Sequence, residues 1–160
     1  MKTTDTHVYF WNGIYSNWYP CKIYDEFSKL NFENTEQAFM WYKANLFKDD
    51  EVKKQIELTG NPKLVKQLGR QIKNYDDVIW NEARFGWMLA VNLMKFSQHQ
   101  YLRQALIETG TRTMVEASPL DKVWGVGLDE NNPLILDERN WQGQNLLGKV
   151  LMRVRESIQK

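Results

Sequence analysis

Glu36 and Lys43 are the pair whose types and spacing most directly suggest chemistry. Asn34 is a good N-cap and Gln37 stands three residues after it, so the sequence predicts a helix from Thr35 to about Lys48. At about 100° per residue, positions seven apart return to within about 20° of each other, so Glu36 and Lys43 share one helix face two turns apart. Met40 and Phe47 lie on that face and Phe39 flanks it. Lys43 has no acid three or four positions away, where Phe39, Met40, Leu46 and Phe47 stand. Such a lysine is a candidate for a depressed pKa and hence for a nucleophilic amine. A carboxylate on the same face can stabilise developing positive charge or activate water. An ordinary reading exists too: Glu36 as a first-turn acid favoured by the helix dipole, Lys43 as a chain lying along an apolar face with its ammonium in water.

Other polar residues stand in apolar or loop contexts. Glu116 ends the strand-like run Met114-Val115, Asp121 precedes Val123-Trp124-Gly125, and Asn145 opens the last helix. Trp80 and Trp87 are seven apart on a long helix and share a face. Each can equally be a cap, a core aromatic or a solvated charge. Metal and triad chemistry find little support: His7 and His99 are the only histidines and lie far apart, and Cys21 has no cysteine partner. Gly125-Val126-Gly127 is half of a dinucleotide fingerprint and opens no helix.

These residues need positioning elements, and the chain supplies them as an α+β pattern, predominantly helical with a few short strands, in a single compact domain spanning 1–160. Strands are expected at His7–Trp11, Lys22–Tyr24 and Thr113–Ala117. Helices are expected at Asp50–Thr59 with Gly60 as a stop, Pro62–Gly69 after the cap Asn61, Asp76–Phe96, His99–Thr109 ended by Gly110, and Gln144–Ile158. The last carries the stripe Leu147, Val150, Leu151, Val154, Ile158. A long loop runs from Gly125 to Gln142, and loops of that length are often functional.

Composition narrows the function classes. The 160 residues are 42% hydrophobic and 26% charged, a globular balance within one ordinary domain's length. No run is long and apolar enough for a membrane span, the N-terminus leads into no signal-like h-region, and a lone cysteine suits a reducing compartment, so a cytoplasmic protein with no membrane partner is expected. A formal net charge of +1 disfavours a dedicated duplex nucleic-acid binder. Seven Trp, seven Tyr and seven Phe are a surplus that can provide stacking surfaces for flat rings.

A series of short stretches resembles the YbiA-like, or NADAR, family. They are Ser16-Asn17-Trp18-Tyr19-Pro20, Asn34 to Ala44, Leu68-Gly69-Arg70, Trp80, Lys95-Phe96, Leu106 to Gly110, Val115 to Pro119, Asp121 to Gly127, Gly143 to Gly148 and Leu151 to Arg155. They follow the family's order across nearly the whole chain. The segment between Gly127 and Gly143 is longer here than in short members and carries Trp141, which could alter substrate choice. The resemblance implies hydrolysis of N-glycosidic bonds, without a metal or redox cofactor. Two substrate groups are implied: riboflavin-pathway phosphoribosylamino-pyrimidines, and ADP-ribose attached to guanine in nucleic acid. It implies roles for Glu36 as the carboxylate, Lys43 as an amine able to form a Schiff base, and Asp121 as a second-choice acid. Trp80 and Trp124 would stack on the base or wall the pocket, and Arg70 would bind phosphate. Asn17, Asn145 and Glu116 complete the expected substrate-binding set. A non-catalytic ADP-ribose or nucleotide sensor is the alternative, and keeping both Glu36 and Lys43 argues against it.

Overall fold

The computed structural model describes residues 1–159 and is α+β, with six α-helices and five short strands among them. By contact the chain divides into two compact units. One unit comprises Met1–Ser16 and the residues from His99 onward. Its sheet has the order β1-β2-β5, in which β1 (Lys2–Thr3) pairs antiparallel with β2 (His7–Phe10) and β2 pairs parallel with β5 (Thr113–Glu116). Val8, Tyr9, Phe10, Met114 and Val115 are all buried, as expected of a parallel pair covered on both faces.

Helix α5 (Gln100–Glu108) is followed by Gly110 at φ +62°, a left-handed turn that glycine takes without steric cost. Helix α6 (Leu146–Ile158) buries its expected stripe, Leu147, Val150, Leu151, Val154 and Ile158. Gly148 lets α6 approach the β5 backbone, since a Cβ there would lie 2.0 Å from the Met114 carbonyl oxygen. Arg155 is buried because its Nη1 donates to Thr109 Oγ1 at 2.6 Å and to the Arg112 carbonyl at 2.9 Å.

The segment expected as a long loop, Gly125 to Gln142, holds two short turns. It forms 3-10 turns at Pro133–Leu136 and Glu138–Asn140, begun by Asn132 and Asp137, whose side chains accept from Leu134 N and Arg139 N. Ile135 is buried with Tyr9, Val115, Ala117, Val126 and Leu128, and Trp141 packs on this cluster while its Nε1 donates to the Ile135 carbonyl at 2.8 Å. Turns of three or four residues are too short to leave a readable period.

The second unit is continuous, Asn17–Gln98. A hairpin of β3 (Ile23–Asp25) and β4 (Leu30–Phe32) precedes α1 (Thr35–Leu46), which contacts α2 (Asp50–Glu57), α3 (Pro62–Gly69), α4 (Asp77–Gln98) and β4. The expected cap is present: Asn34 Oδ1 accepts from Gln37 N at 2.9 Å, and Asn34 Nδ2 donates to the Gly60 carbonyl at 2.8 Å. Gln37 closes its half of the motif on Glu33 N, at 2.7 Å, one residue earlier than a standard capping box. Every residue of α1 from Thr35 through Tyr42 is buried, so this is a central helix rather than a surface one. No helix among the described residues is long and apolar enough to cross a membrane.

Candidate active site

Helix α1 holds both residues singled out by spacing. Glu36 is only 7% exposed, which removes the solvated first-turn acid as an account of it. Its backbone N–H donates to the Asn17 carbonyl at 3.1 Å, and Thr35 Oγ1 donates to the same oxygen at 3.0 Å. That oxygen therefore ties the first turn of α1 to the segment before the hairpin. The Asn17 amide is engaged within the unit: Nδ2 donates to Met88 Sδ at 3.2 Å, and Oδ1 accepts from Asn92 Nδ2 at 3.2 Å. Asn17 thus holds Glu36 in place through its backbone, with its own side chain anchored on α4.

Lys43 points to the C-terminal end of α3. Its Nζ donates to the Gly69 carbonyl at 2.9 Å and lies 4.7 Å from the Tyr75 ring centroid and 5.3 Å from that of Trp80. Both rings offer their π-faces to the ammonium. Burial nevertheless lowers the Lys43 pKa, opposed by the Glu36 carboxylate, reinforced by the Arg70 guanidinium and opposed again by Asp77. The apolar wall is continuous: Trp80 meets Phe39 with centroids 5.1 Å apart and Phe47 at 6.5 Å, and Phe47 meets Tyr75 at 5.3 Å. Trp87, on the same helix as Trp80, stacks instead on Tyr42 at 4.3 Å, where Tyr42 donates to Asp25 at 2.6 Å. Burial and that bond hold the Tyr42 phenol well above its ordinary range.

Arg70 is the C-cap of α3, exposed, its charge within electrostatic reach of Lys43. Tyr75 was not legible beforehand. Asn74 adopts a left-handed backbone, φ 58°, and the Tyr75 hydroxyl donates to Asp77 at 2.7 Å, fixing the ring over Lys43. The run Asn74-Tyr75-Asp76-Asp77 ahead of a helix is a turn signal, but nothing in its spacing reports a lysine on another helix.

The remaining candidates belong to the other unit. Asp121 Oδ1 accepts from Val123 N and Trp124 N at 2.9 and 2.8 Å, so this acid shapes the turn that presents Trp124. Asn145 is buried in a left-handed conformation, φ 52°. Its Oδ1 accepts from Glu116 N at 3.0 Å and its Nδ2 donates to the Met114 carbonyl at 2.8 Å, which fastens α6 to β5. The first amides of α6 are satisfied locally, Leu146 N by the Val123 carbonyl and Leu147 N by the Trp124 carbonyl, at 3.2 and 3.1 Å. Glu116, partly buried, ends β5 as expected.

A family model described as the NADAR domain matches residues 9–159. The chain is 38% identical over 168 residues to N-glycosidase R617 of Acanthamoeba polyphaga mimivirus, an alignment spanning 98% of this chain and 99% of that protein. It is 31% identical over 152 residues to N-glycosidase Npun_R5314 of Nostoc punctiforme, across 91% of this chain and 90% of that one. The NMR structure of the E. coli protein YbiA matches with a TM-score of 0.79 at 24% identity, covering 99% of this chain and 88% of that chain, so the two share a fold. The chain belongs to the NADAR domain family.

Proposed function

We propose that residues 1–160 act as one NADAR domain that hydrolyses the N-glycosidic bond between a phosphorylated ribose and a nitrogen base. The class of reaction, a hydrolase of N-glycosyl bonds, is supported by the relatives that carry the name N-glycosidase. One observation carries the assignment of residues: α1 presents a buried carboxylate and a desolvated amine two turns apart, the amine seated between Tyr75 and Trp80.

In this reading the free amine of Lys43 attacks C1 of the ring-opened sugar. Departure of the base nitrogen, with a proton, leaves a Schiff base to Nζ, and water then releases the sugar aldehyde and restores the amine. Glu36 transfers protons and stabilises the positive charge that develops at C1. The substrate is either a phosphoribosylamino-pyrimidine of the riboflavin pathway or ADP-ribose on guanine. The two differ in the room they need, a compact monophosphate against a diphosphate with a second nucleoside.

Incubation with each substrate class, followed by mass spectrometry of products, tests the reaction. Borohydride added during turnover should leave a reduced sugar adduct on the peptide carrying Lys43. Release of the base with no adduct, together with near-normal turnover by Lys43→Arg, overturns the nucleophile role, because a guanidinium supplies charge but no free amine. Binding without turnover of either class would leave a nucleotide-binding module instead.

A further inference from the structure

Helix α4 presents a ladder of side chains four residues apart: Trp80, Arg84, Met88 and Asn92. Positions four apart lie nearly above one another on a helix. Three rungs have partners that place them along the reactive helix. Trp80 lies against Lys43 and Phe39, while Met88 and Asn92 hold Asn17, whose carbonyl takes the Glu36 N–H. Arg84 is the rung between, one turn, about 5–6 Å, from the Lys43 end and one turn from the Glu36 end.

Arg84 is partly buried, yet its guanidinium makes no hydrogen bond or ion pair to any described residue. A long side chain on a helix leans toward the N-terminus, which directs this guanidinium toward Trp80 and Tyr75. Its charge is indeed felt at the Tyr75 hydroxyl. Lys43 and Arg70 act on the same region, so three cations gather there. Of the two acids that act on Lys43, Asp77 already accepts from Tyr75. Asp76 acts there too, so Glu36, Asp76 and Asp77 balance the three cations in number, and what marks Arg84 is its planar fork of donors with no hydrogen-bond or ion-pair partner among the described residues, which suits tetrahedral oxyanions.

We propose that Arg84 is a phosphate-binding residue of the Glu36–Lys43 site, recognising the phosphoryl group of the sugar whose C1 meets Lys43. It rests on the functional reading above only for the sugar attached to that phosphate. The phosphoryl group can be a ribose monophosphate or part of an ADP-ribose diphosphate, and both present the same oxyanion to the fork.

Calorimetric titration of the full chain with ribose 5-phosphate and with ADP-ribose, alongside unphosphorylated ribose and adenosine, tests this. Arg84→Gln should weaken the phosphorylated probes by about 10-fold or more and leave the unphosphorylated ones unchanged, while Arg84→Lys should recover part of the loss. A loss confined to ribose 5-phosphate identifies the monophosphate, and a loss confined to ADP-ribose identifies the diphosphate. Wild-type affinity in both folded variants overturns the proposal, as does equal loss for phosphorylated and unphosphorylated probes, or failure of the wild type to bind any phosphorylated probe. Turnover assayed in parallel separates this from the enzyme reading. Arg84-dependent binding without hydrolysis rejects the N-glycosidase and keeps the phosphate residue; hydrolysis with unchanged kcat/KM in Arg84→Gln does the reverse.

Discussion

The proton on Lys43 is under opposing controls, and their signs make the amine testable. Desolvation lowers its pKa, Glu36 raises it, Arg70 lowers it and Asp77 raises it. The reactive free amine therefore appears at lower pH than for an ordinary lysine. Turnover should rise with pH and level off below the ordinary lysine range, where a pH–rate profile would find the limb. Amine-specific labelling of Lys43, read by peptide mass spectrometry, should shift to lower pH in Glu36→Gln and to higher pH in Arg70→Ala. Shifts of the opposite sign would remove both residues from the neighbourhood of the amine. Glu36→Gln should also reduce turnover roughly 100-fold or more while sparing binding, since it keeps shape and loses the proton-transferring group. At this scale the sequence revealed what lies on one helix and little else. Glu36 and Lys43 were legible because their relation is a helical period. Tyr75 and the Gly69 carbonyl were not, because they reach the amine from other elements, and no spacing within a sequence encodes that approach.

Among the elements, capping chemistry was the most readable signal. Asn34 and Asn61 begin α1 and α3 where expected, and Pro62 to Gly69 bounds α3 at both ends. The strands were less legible: β1 and β4 have two and three residues, too few for alternation to show. The missing 3-10 turns have the same cause, and their Ile135 is a core residue that only the folded chain reveals. The contact between α6 and β5 depends on Gly148. Gly148→Ala would drive a methyl group into the Met114 carbonyl, which is backbone and cannot rotate away. Urea denaturation should show a loss of about 1–3 kcal/mol or more, the range for overpacking a close contact. A loss within about 0.5 kcal/mol would mean that α6 shifts without consequence.

At the scale of the whole molecule, Lys95 ties stability to pH. It is fully buried near the end of α4, and burial pushes its pKa down to about 8 from an ordinary 10.5, with Cys21 opposing. The folded pKa lies below the unfolded one, so this group's contribution is complete above about pH 10.5 and is lost as pH falls through about 8. Between those limits the difference in unfolding free energy between wild type and Lys95→Met should change by an amount on the order of 3 kcal/mol. Taking the difference removes the buried tyrosines, whose raised values titrate in the opposite direction. A difference that is flat across this window would mean Lys95 is not held by burial. The parallel pairing of β2 with β5 has a consequence for the order of biosynthesis. His7 pairs with Thr113, so the strand translated early waits for about a hundred further residues before its neighbour exists. At about 5–20 residues per second that delay lasts several seconds or longer, during which Asn17–Gln98, a continuous stretch, emerges in full. The ribosome thus delivers the helix bearing Glu36 and Lys43 before the strand that completes the sheet.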